Sequence, residues 1–89
     1  MTTEKTVDDV VKLVELTLSL QNVQLETQMG KIRGWDSMRH LRLMMAIEKG
    51  FQVKIPNSQL GRLTSVQLIV DYLRSMNAIA VSSGSEKKV

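Results

Sequence analysis

The sequence has no cysteine among its 89 residues. That excludes a disulfide, a thiolate nucleophile and any cysteine-based metal site. A single histidine, His40, argues against a histidine-based metal site and against a serine–histidine triad, and no metal is expected. One Trp, one Tyr and one Phe give no stacking platform for single-stranded nucleic acid. No apolar run approaches the roughly 20 residues that a membrane helix needs, so no membrane span is expected. The opening MTTEKTVDDV lacks the apolar core of a secretory signal, which makes the cytoplasm the expected location.

What is present suits one small domain with a modest core. The net charge is +3, unevenly spread. Residues 1–30 hold five acids and two bases, whereas residues 31–62 hold seven bases and two acids. A basic middle segment can face nucleic acid, an anionic lipid surface or an acidic protein.

Hydrophobic spacing divides the chain into helices. Residues 1–5 are polar and expected to fray. Val7, Val10, Val11, Val14 and Leu18 fall on one helical face, so a first helix is expected from about Thr6 to Leu20. Thr6 suits its N-cap, and Asp8 and Asp9 suit its first turn. Gln21 to Gly34 shows no clean period and reads as a long ordered loop, of a kind more often functional than decorative. A second helix opens at Asp36 or Ser37 and runs to about Lys49, with Met38, Leu41, Met44 and Met45 as one apolar line and Leu43 and Ile47 widening it. Gly50 fits the left-handed position that ends a helix. Phe51, Val53 and Ile55 alternate before Pro56 and read as an extended connector that drops apolar side chains into the core. Asn57 to Gly61 suits a single helical turn. Thr64-Ser65-Val66-Gln67 reads as a capping box with Thr64 at the cap, opening a last helix to about Met76. Val66, Ile69, Val70 and Leu73 form its buried stripe. The polar tail, residues 77–89, reads as flexible, leaving 6–76 as the folded domain. The expected fold is all-α, a small bundle of three main helices plus one short helix.

Asp36-Ser37 carries the chemistry. On local physics alone, both residue types are favoured N-caps, and such a pair commonly does nothing else. The wider pattern adds to this. Asp36-Ser37-Met38 is followed by Leu41, Met45, Glu48, Phe51, Val53, Ile55 and Pro56, then by Leu63-Thr64-Ser65-Val66 and Val70-Asp71-Tyr72-Leu73. This ordered series, over about residues 6–76, resembles the acyl carrier protein family. Trp35, directly before the Asp, resembles the stand-alone carriers of specialised pathways more than the housekeeping carrier of fatty-acid synthesis.

The resemblance implies that Ser37 accepts a 4′-phosphopantetheine arm from coenzyme A through a separate phosphopantetheinyl transferase. The thiol of that arm would hold an acyl or aminoacyl group as a thioester. Asp36 would cap the helix and help bind the transferase and its Mg²⁺. The protein itself would catalyse nothing, and would act as a monomer that meets acyl-loading and acyl-transferring enzymes transiently. An imported thiol also fits a chain without cysteine. Met38 stands where the family usually has Leu, a nearly volume-conserving swap. One residue past the attachment point, Met38 reads as a partner contact. Met44 and Met45 read as core filling, and Trp35 is assigned to the docking face.

One feature departs from the family. The second helix of the familiar carriers is acidic. Here Arg39, Arg42 and Lys49 outnumber its one acid, Glu48, and Lys31 and Arg33 precede it. Arg39 and Arg42 therefore point to partners with acidic docking surfaces. His40, beside them, reads as a surface residue. The competing reading is a small basic helical domain binding nucleic acid, or an acidic protein, through the second helix. No helix-turn-helix spacing supports the nucleic-acid form, since the loop before Ser37 is too long. An enzyme is the poorest fit, for want of any catalytic cluster.

Overall fold

Four helices follow in order in the computed structural model, which describes residues 5–79: α1 Val7–Leu18, α2 Ser37–Phe51, α3 Asn57–Leu60 and α4 Val66–Ser75. Three main helices and one short one make the all-α architecture that the periodicity implies. The described residues contain no strand, only an isolated antiparallel bridge between Gln28 and Ser65. No helix among them is long and apolar enough to cross a membrane. The expected frayed start and flexible tail lie outside the described residues at positions 1–4 and 80–89. Packing continues past residue 76: Ile79 is buried, and the Ala78 N–H donates to the Leu73 carbonyl at 2.8 Å.

α1 begins where Thr6 adopts extended backbone and its N–H donates to the Asp9 carboxylate at 2.7 Å. The helix ends at Ser19, which takes the left-handed conformation (φ 55°). Val10, Val14 and Leu18 are buried on one face. α1 packs against both α2 and α4. The core between them is filled by Leu43, Met44 and Ile47 from α2 and by Val66, Ile69, Val70 and Leu73 from α4. Burying such a side chain is worth about 1.5–3 kcal/mol, so these three stripes supply most of the cohesion.

The end of α2 and the start of α4 differ from the sequence reading. Gly50 does not end α2. It stays helical, and the left-handed cap is Gln52 (φ 55°). Extending the helix buries Phe51, while Leu13 of α1 lies so close that a Cβ on Gly50 would meet its Cδ2 at 3.3 Å. Gly50 therefore serves close packing rather than termination. Beyond it, Glu48 anchors the connector, accepting the Ile55 N–H at 2.7 Å. At α4 the cap is Ser65 rather than Thr64, with Ser65 Oγ accepting from the Leu68 N–H at 3.1 Å.

The reason lies in the long loop. Its segment 25–29 runs alongside the start of α4. The Met29 N–H donates to the Thr64 carbonyl (2.8 Å), the Val66 N–H to Thr27 (3.1 Å) and the Gln67 N–H to Leu25 (2.9 Å). The loop thus takes over the backbone groups that a helix start leaves unpaired.

Candidate functional site

The site lies where the loop turns into α2. Gly34 makes that turn with φ +94°, and a Cβ there would meet Leu20 Cδ2 at 3.1 Å, so conformation and space both favour glycine. Trp35 follows and is buried at 1% exposure. Its carbonyl accepts the Gly30 N–H at 3.1 Å. Asp36 then takes extended backbone, and its Oδ1 accepts the Arg39 N–H at 3.0 Å. That is the N-cap role, worth about 1 kcal/mol.

Ser37 is the first residue of α2, and it is exposed. The start of α4 has all three leading N–H groups claimed, by Thr27, Leu25 and Ser65. At α2 only the third is claimed, by Asp36. Among the described residues, no protein acceptor takes the N–H of Ser37 or Met38. A helix start with open N–H groups and a positive dipole end favours an anion there. An anionic phosphodiester on Ser37 Oγ would fit this setting.

The face of α2 around Ser37 is now defined. Met38 (76% exposed), Leu41 (51%) and Met45 (65%) line its outer side, and Asp36, Met38, Arg39 and Arg42 border a shallow surface depression. The single apolar line drawn from the sequence divides in two. Met44 is core, as read, whereas Met45 is exposed and not core filling. α2 is apolar on both sides, and it turns inward the set that continues through Ile47 to Phe51. Arg39 and Arg42 are exposed, and the ion pair formed among the described residues is elsewhere, Arg74 with Asp71 at 3.8 Å.

Two assignments need correction. Trp35 does not belong to a docking face, because its ring lies inside. His40 is not a surface residue, being only 5% exposed. The Trp35 Nε1–H donates to His40 Nδ1 at 3.0 Å, and His40 Nε2 lies 2.7 Å from the Leu60 carbonyl. The two rings meet edge to edge through the Trp35–His40 bond, with centroids 6.0 Å apart and planes inclined by 28°. A signal for His40 was available: Leu43, Met44 and Ile47 lie three, four and seven residues on, so His40 shares the core face by helical spacing.

No family model matches the chain. Curated relatives do. The chain is 37% identical over 70 residues to a protein of Campylobacter concisus named acyl carrier protein, covering 79% of this chain and 90% of that one. Proteins of the same name from Campylobacter lari and Campylobacter jejuni are 34% and 32% identical. Those matches cover 78% and 80% of this chain and 92% and 95% of the relatives. With a four-helix all-α fold and an Asp-Ser at the head of α2, the chain belongs to the acyl carrier protein family.

Proposed function

We propose that this protein carries an acyl or aminoacyl intermediate on a 4′-phosphopantetheine arm attached to Ser37. The observation that carries the reading is the exposed hydroxyl of Ser37 at the first residue of α2, beside N–H groups that no described residue claims, in a chain of this family. Attachment joins Ser37 Oγ to the pantetheine-side phosphorus of coenzyme A. The bond from that phosphorus to adenosine 3′,5′-bisphosphate breaks, and the hydroxyl proton passes to the transferase. When bound, the arm supplies a terminal thiol that holds the cargo as a thioester. The protein's own residues orient and present it. Asp36 fixes the helix start by holding the Arg39 N–H, the open N–H groups of Ser37 and Met38 favour the phosphodiester anion, and the outer face of α2 meets partners. Asp36 also faces solvent, where a transferase-bound Mg²⁺ can reach its free oxygen.

The partners are a phosphopantetheinyl transferase and acyl-handling enzymes whose docking surfaces are acidic around an apolar patch. Arg39 and Arg42 flank the exposed Met38, Leu41 and Met45. That mixed apolar and basic face suits a protein partner better than a phosphate backbone. It also supports a partner set distinct from that of acidic carriers.

The test is direct. Purified protein is incubated with coenzyme A, Mg²⁺ and a broad-specificity transferase, then with the transferase of the native host, and its intact mass is taken beside Ser37→Ala. One added phosphopantetheinyl group, absent from Ser37→Ala, is expected. No gain with either transferase would overturn the reading.

A further inference from the structure

Trp35 is the residue before the Asp36-Ser37 pair, and its indole N–H has one partner, His40 Nδ1 at 3.0 Å. His40 is a single helical turn into α2, and its main-chain N–H closes that turn on the Asp36 carbonyl at 2.8 Å. Its other ring nitrogen reaches the carbonyl of Leu60, the last residue of α3, at 2.7 Å. One buried imidazole therefore joins the entry to α2, the first turn of α2 and the end of α3.

The chemistry of the partners fixes the state of that ring. An indole N–H only donates, so Nδ1 must accept. A carbonyl only accepts, so Nε2 must carry the proton. The neutral Nε2–H tautomer alone satisfies both neighbours. An imidazolium, or the other tautomer, would set an N–H against the indole N–H. A buried indole N–H left without an acceptor is costly, so this arrangement specifies one geometry rather than tolerating several.

We propose that Trp35 and His40 are positioning residues for the modification of Ser37: their hydrogen bond holds the backbone at Asp36-Ser37 so that Ser37 Oγ meets the phosphorus in line. Neither side chain is placed to touch coenzyme A, since both are buried. They act through Asp36, the one residue that separates Trp35 from α2. The proposal rests on the carrier reading above.

The carrier is itself the substrate of the transferase, which gives the test its discrimination. Loss of folded carrier raises the apparent KM and leaves kcat unchanged. Misplacement of the nucleophile in the bound complex lowers kcat, and about 1 Å of error can cost on the order of a hundredfold. Transfer kinetics are measured for wild type, Trp35→Phe, His40→Gln, the double variant and His40→Asn. Trp35→Phe removes the donor. His40→Gln keeps a donor at the Nε2 position but not the acceptor at Nδ1, and His40→Asn keeps the acceptor.

Trp35→Phe and His40→Gln are expected to lower kcat about tenfold with KM within twofold, short of that hundredfold limit. The double variant should be no worse than either single one, because one bond is lost in each case. His40→Asn should stay within about threefold of wild type, its acceptor being kept. Single-variant kcat values within twofold of wild type, or losses that multiply in the double variant, would overturn the proposal. Should the variants fail to fold, ¹⁵N NMR of wild-type His40 decides. A proton on Nδ1 refutes the arrangement, and a proton on Nε2 with an acceptor-bonded indole N–H supports it. A wild-type protein that takes no arm at all would instead bring down the carrier reading and this proposal with it.

Discussion

Asp9 shows how a single side chain ties the start of the fold to pH. The Thr6 backbone N–H donates to its carboxylate and holds its pKa below the usual carboxylate range, with the Thr6 hydroxyl, Lys5 and Lys12 adding to the effect. As pH rises, the unfolded chain releases that proton near pH 4 and the folded chain already at lower pH. Between those values the unfolded state binds more protons, so stability rises with pH there. The contribution is therefore present above about pH 4 and fades as pH falls through the folded value. Asp9→Asn is expected to be less stable than wild type at neutral pH. The difference should close under acid conditions, as read by urea unfolding at a series of pH values. Thr6 and Asp9 were legible as a helix start because capping is a local code. The burial of His40 was legible from its spacing, but its partners were not, since helical spacing does not bring Trp35 and Leu60 to it.

α2 carries both Ser37, the proposed attachment point, and the face that partners would meet. Its inner stripe, from His40 to Phe51, fixes its rotation, and Met38, Leu41 and Met45 are left outside with Arg39 and Arg42. Reversing the arginines tests the docking proposal without touching the core. Arg39→Glu/Arg42→Glu is expected to slow loading by cognate enzymes at least tenfold, with the loss mainly in encounter rate and shrinking at high salt. Stopped-flow loading at two ionic strengths measures it, and unchanged rates with every cognate partner would refute it. The type and order of the helices are legible because α1, α2 and α4 each have a strong period or a clear cap, and the short α3 follows directly on Pro56. The sequence reading misjudges the end of α2, since a glycine used for closeness to Leu13 looks like one used for a turn. It also merges the two apolar sides of α2, because periodicity identifies stripes without saying which one faces inward.

A chain of this size has little stability in reserve, so its core substitutions matter for the whole fold. Ile69 of α4 is fully buried in the core. Ile69→Ala is expected to cost about 2–4 kcal/mol, a large part of the total for a small domain. A urea midpoint well below that of wild type, with an unchanged slope, would show it. The core list is largely readable from the sequence, since Val10, Val14, Leu18, Ile47, Val66, Ile69, Val70 and Leu73 fall on helical stripes. The path of the 21–34 loop is not, because its order comes from pairing with a distant helix start.

That pairing makes the loop a clasp. Leu25, Thr27 and Met29 hold the first turn of a helix that the chain reaches only after α2 and α3 have been made. α4 has no complete beginning until the loop is in place, and segment 25–29 lacks these three long-range bonds until α4 arrives. The two ends of the bundle must close together, so folding is tied to a long-range step that its high helical content would otherwise spare it. What looks like slack in the chain is the part that makes its assembly all-or-none.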